Sequence, residues 1–142
     1  MIASRRTSSN FALQRAAEWA SELRKPLVIF EPLRIGYHWA SDRMHRFIID
    51  GMAGNAAQIT ALKNCGVLYF PYVEPTPDAA KRLLAALAQR ACVVVTDDLP
   101  SFFVPRMVAA AAKTLPLKLE QVIRLSTTAR PSSLAPSSRL LW

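Results

Sequence analysis

Short apolar runs rich in β-branched residues alternate with longer segments of helical spacing along this chain, and that alternation constrains its fold most. Pro26–Phe30 (PLVIF), Gly66–Val73 (GVLYFPYV) and Ala91–Thr96 (ACVVVT) read as buried strands. Leu117–Val122 (LKLEQV) alternates apolar and polar residues, as an edge strand does. Between these runs, Ala12, Leu13, Ala16, Ala17, Ala20 and Leu23 share one face of a helix over residues 10–24. Met44, Phe47, Ile48, Met52, Ile59 and Leu62 do the same over residues 41–64. A third helix is expected to open on Thr76 as N-cap with Pro77 at its first position, because Pro lacks the N–H that would go unbonded there. A fourth runs from near Ser101 to Thr114, with Pro105 in its first turn and Pro116 ending it.

Strands that alternate with helices imply parallel pairing through right-handed crossovers. Near-continuous apolar strands point the same way, since parallel strands are usually buried on both faces. The expected fold is therefore α/β: a Rossmann-like open parallel five-stranded sheet with helices on both faces and a shortened first strand. Only Met1–Ser4 precede the first helical segment, whereas strands usually need about 5–6 residues and the first strand of such a sheet is central. At the other end, residues 123–142 are rich in Ser, Thr, Pro and Arg and contain no acidic residue. They read as a disordered or out-of-frame tail, which leaves residues 1–122 as one domain.

The formal charge of +8 favours anionic partners. The basic residues are scattered, however, and three of them (Arg124, Arg130, Arg139) fall in the tail, so charge alone does not define a nucleic-acid surface. Cys65 and Cys92 form no CxxC pair and are expected to be reduced, buried thiols. No apolar run reaches the ~20 residues of a membrane span, and no signal core opens the chain. A cytoplasmic location is expected.

In open parallel sheets, ligands bind beyond the carboxyl ends of the strands. Arg5, Arg6 and Asn10 follow the first strand, Glu31 and Arg34 the second, Tyr72 and Glu74 the third, and Thr96, Asp97 and Asp98 the fourth. Guanidinium groups beside a helix start suit a phosphate or carboxylate, and the acidic residues suit ribose hydroxyls or a heterocycle. Each also has a plain structural reading as a solvated loop charge or a helix cap, and Asp97 and Asp98 suit the latter. There is no GxGxxG, Walker loop or HExxH, and four glycines cannot build a glycine-rich phosphate cradle. His38 and His45 have no partner at metal-ligand spacing and read as surface or packing residues. Trp39 suits either ring stacking or a hydrophobic plug.

Six segments in order resemble the photolyase/cryptochrome family, in a bacterial branch near the class II DNA photolyases. They begin with Arg5-Arg6 leading to Asn10-Phe11-Ala12-Leu13, then Lys25-Pro26-Leu27-Val28 with the Glu31-Pro32-Leu33 turn. Tyr37-His38-Trp39-Ala40-Ser41-Asp42-Arg43 leads into His45-Arg46-Phe47 and Gly51-Met52. Tyr69-Phe70-Pro71-Tyr72-Val73-Glu74, Val95-Thr96-Asp97-Asp98-Leu99-Pro100 and Pro105-Arg106-Met107-Val108 complete the match, which covers about residues 1–122.

The resemblance implies the N-terminal α/β domain of an enzyme that splits cyclobutane pyrimidine dimers with light and reduced FAD. In that family, FAD and damaged DNA bind a helical C-terminal domain that has no counterpart in this sequence. Catalysis by the chain alone is therefore not expected, and Trp19, Trp39 and Trp142 take no electron-transfer role. Many members hold an antenna folate or deazaflavin in the interdomain crevice, and the low-lying candidates for such contacts here are Arg5, Arg6, Asn10, Glu31, Arg34 and Asp97. The two odd ends suggest an internal start together with a frameshift or truncation. Two other readings stay open: a stand-alone nucleotide- or flavin-binding α/β module, and an interaction protein that self-associates through apolar surface.

Overall fold

The computed structural model describes residues 4–62, 65–100 and 104–123. Four helices and four strands alternate in it: α1 (Phe11–Leu23), β1 (Leu27–Leu33), α2 (Asp42–Ala61), β2 (Val67–Val73), α3 (Ala79–Ala88), β3 (Val93–Asp98), α4 (Val104–Thr114) and β4 (Lys118–Ile123). The α/β class and the order of elements follow the hydrophobic pattern. Each strand falls on one of the four apolar or alternating runs, shifted by a few residues at its ends.

The parallel pairing is as expected. Among the described residues the four strands form two parallel pairs, β1 with β2 and β3 with β4, and no five-stranded sheet. Leu27 aligns with Val67 and Leu33 with Val73 in the first pair, and Val93 with Lys118 and Asp98 with Ile123 in the second. Ser4 is not in a strand, and Met1–Ala3, where the shortened first strand was expected, lie outside the described residues. The tail, Ile123 apart, lies outside them too.

Local chemistry sets the helix starts. Asn10 Oδ1 accepts the Leu13 N–H at 3.0 Å and Ser41 Oγ accepts that of Met44 at 3.3 Å, each satisfying an otherwise unbonded N–H of the first turn. α1 stops at Arg24, whose left-handed backbone (φ 51°) lets the Lys25 N–H reach back to the Ala20 carbonyl at 3.0 Å. Thr76 does not cap α3. That helix begins three residues later, and its cap position is held by Asp78 in a left-handed conformation without a side-chain cap bond. The cap comes from the end of β2 instead: Glu74 Oε1 accepts the Ala80 N–H at 3.1 Å. α4 carries Pro105 in its first turn as expected; Ser101–Phe103 lie outside the described residues.

Helix α1 is fastened to the far strand pair by a polar cluster. Glu120 of β4 accepts from Arg15 Nε at 2.7 Å and Trp19 Nε1 at 2.9 Å, and Lys118 Nζ lies 3.4 Å from it. The Arg15 guanidinium and the Lys118 ammonium both sit over the Trp19 ring, 4.7 and 4.6 Å from its centroid. Burial pushes the Glu120 carboxyl upward, but these three donors outweigh it and hold the group below the ordinary carboxylate range. The same contacts with Glu18 and Glu120 hold the Arg15 guanidinium firmly protonated.

Ile29, Leu33, Met52, Ile59, Val104 and Val108 are among the buried apolar residues. One face of the β1–β2 pair is only partly covered. Phe30, Phe70 and Tyr72 cluster there with ring centroids 5.8 to 6.4 Å apart, while Val28 and Leu68 on the same face are exposed. Among the described residues, no helix is long and apolar enough to cross a membrane.

Candidate functional site

The carboxyl ends of β1, β2 and β3 bring four of the six candidate residues together: Arg5, Asn10, Glu31 and Asp97. Strand alternation turns Glu31 inward, where only 1% of it is exposed. Its carboxylate accepts from Arg5 Nη1 at 3.2 Å, Asn55 Nδ2 at 3.1 Å and the Tyr69 hydroxyl at 2.6 Å. Arg5 also donates through Nη2 to the Pro32 carbonyl at 2.7 Å, and its own carbonyl accepts from Asn55 Nδ2 at 3.4 Å.

Asn10 and Asp97 grip the same loop from the other side. Asn10 Nδ2 donates to the carbonyls of Ser4 at 3.0 Å and Arg6 at 2.9 Å while its Oδ1 caps α1. Asp97 Oδ2 accepts the Ser4 N–H at 2.5 Å. Asp97 is therefore a buried residue of β3 that holds a loop, and Asp98 is also in β3.

The other two candidates stand apart. Arg6 turns outward and donates to the Ser9 carbonyl at 3.1 Å in an exposed position. Arg34 belongs to a second cluster at the end of β2. Its Nη2 pairs with Asp78 at 3.0 Å and its Nε lies 3.9 Å from Glu74, which is 2% exposed and also accepts the Ile35 N–H at 3.3 Å.

Asn55 and Tyr69 are the site residues that reading along the sequence missed. Asn55 shares the buried stripe of α2 with Met52 and Ile59, and a polar residue on such a stripe is a usable signal because it must find a buried partner. Tyr69 carried no comparable signal inside an apolar strand. Burial, and next its hydrogen bond to Glu31, push the Tyr69 hydroxyl well above the ordinary phenol value, so it remains a donor.

Several other expectations change. Tyr72 packs among rings on the opposite face from Glu31, not at the crevice. Trp39 is 65% exposed and plugs nothing, with His38 edge-on to it at 5.3 Å. His45 is half-buried, edge-on to Tyr37 at 5.7 Å, as a packing residue is. Cys65 and Cys92 are free but exposed, because they sit in the turns before β2 and β3 and not in the strands themselves. Among the described residues, no three His, Cys, Asp or Glu side chains are grouped to hold a metal ion.

Chemically the cluster is a closed circuit. Each carboxylate meets donors from neighbouring elements, and each guanidinium faces an acceptor of the chain itself. Arg5, Asn10, Glu31 and Asp97 tie the segment before α1 to β1, β2, α2 and β3. No protein-family model, curated protein or solved structure matches the chain.

Proposed function

We propose that the chain is a photolyase-type N-terminal α/β domain that serves as a packing partner and has no lyase activity by itself. The six ordered sequence segments carry the family resemblance. The observation that favours a structural role over ligand binding is the closed Arg5–Glu31–Asn55–Tyr69 circuit where a ligand would enter. In this reading, light-driven repair of pyrimidine dimers, FAD and DNA contacts belong to a helical partner domain. The finer Rossmann-like, five-stranded form belongs to the same reading, as does a cytoplasmic location.

The partly covered β1–β2 face, with Val28 and Leu68 exposed, supports a role in docking or self-association. The purified chain is expected to show no absorbance band in the near ultraviolet or blue after incubation with FAD, a folate or a deazaflavin. It is also expected to leave a thymine-dimer oligonucleotide unrepaired under blue light. A stoichiometric bound pigment would overturn this reading in favour of a stand-alone flavin- or nucleotide-binding module.

A further inference from the structure

Helix α2 presents an exposed apolar face beside its buried one. Met52, Asn55 and Ile59 are buried where the helix packs on β1 and β2. Met44, Phe47, Gly51 and Gly54 recur at intervals of three and four, so they share a different line along the same helix. Phe47 is 76% exposed and Met44 46%. Among the described residues, a side chain added at Gly51 or Gly54 would meet open space. The face therefore holds an apolar knob and, one turn further on, a hollow. Beyond Gly54 it is closed, because Gln58 accepts the Thr7 hydroxyl.

The open length from Met44 to Gly54 is about 15 Å at a rise of ~1.5 Å per residue. Ile49 marks its midpoint. Phe47 and Gly51 lie equally far from that level on either side, and so do Met44 and Gly54. A two-fold axis there sets an antiparallel copy of α2 with each Phe47 over the partner's Gly51 and each Met44 over the partner's Gly54. Such a contact is isologous, each half supplying both knob and hollow. The charges match as well. Arg46 and Asp50 flank the face on one side, both exposed, and pair at 3.0 Å within the helix. An antiparallel pair brings like flanks together, which puts Arg46 within about 3 Å, measured along the axis, of the partner's Asp50. Knob, hollow and both charges are balanced about one level, and that selects a second copy of this chain over an unrelated partner.

We propose that this face of α2 is a self-association surface, on which a second copy of the chain docks antiparallel about Ile49. It is separate from the bare β1–β2 face, and it stands whether or not the photolyase reading does. Three helical turns fall short of the roughly 1,000 Å² of a stable interface, so the dimer is weak and reversible.

Sedimentation equilibrium of the full chain over about 5 µM to 1 mM tests it, with a dissociation constant on the order of 100 µM expected. Phe47→Glu should weaken association about tenfold or more. Arg46→Asp and Asp50→Arg each set like charges against one another across the axis, and each alone should weaken association about tenfold. Mixed in equal amounts, the two variants should recover the parent affinity as a heterodimer, because every facing pair is then of opposite sign. A chain that stays monomeric over that range, or a mixture no tighter than its components, would overturn the surface. Association that Leu68→Glu abolishes and Phe47→Glu leaves intact would overturn it too, by assigning the contact to the β1–β2 face.

Discussion

Glu31 is the residue on which the crevice depends, because a buried carboxylate is tolerated only while donors surround it. Glu31→Ala would leave the Tyr69 hydroxyl and Asn55 amide without their acceptor. It is expected to cost about 3 kcal/mol in urea denaturation, moderated by the partial exposure of Arg5. Tyr69→Phe removes a single bond to the same carboxylate and should cost about 1 kcal/mol.

The pH dependence of Tyr69 has a definite sign. Its folded hydroxyl titrates above the unfolded value of 10.0, so below that pH both states hold the proton and the contribution is intact. As pH rises past 10.0, the unfolded state loses the proton first and stability falls. Tyr69→Phe should flatten that alkaline limb in thermal melts recorded across the range. An unchanged alkaline limb would place the effect elsewhere.

At the scale of elements, the tie between α1 and β4 depends on a Glu120 carboxyl held below its ordinary value of 4.5. The stability it contributes is present above that value and is lost as pH falls toward and through the lower folded value. Glu120→Gln should therefore weaken the fold at neutral pH and narrow the gap to the parent chain as the solution is acidified, read by circular dichroism. If the gap widened on acidification, the assigned sign would be wrong.

The elements themselves were largely legible in the sequence. β-Branched runs such as Val93-Val94-Val95 have few alternatives to a buried strand, and Asn10 and Ser41 cap locally, within three residues of their targets. The start of α3 was not legible, because its cap is a carboxylate at the end of β2, brought near by the turn, and not Thr76. The candidate site was legible in part. Strand ends could be located, which found Arg5, Glu31 and Asp97, but nothing local announced that they would bond one another's elements. Arg34 was misgrouped for the same reason: its partner Asp78 lies 44 residues away.

At the scale of the molecule, α1 packs against both parallel strand pairs, and one β1–β2 face stays partly bare, with Leu68 at 59% exposure. In the proposed reading, that bare face takes a packing partner, the helical domain of a photolyase, while the polar circuit at Glu31 holds the segment before α1 in place.

The most direct measurement of that claim is reconstitution by size-exclusion chromatography with light scattering. The chain is mixed with the helical flavin domain of a class II photolyase whose own α/β domain has been removed. The account predicts a one-to-one complex that Leu68→Glu weakens. Separate elution of the two components, under conditions in which the photolyase's own α/β domain binds, would contradict it.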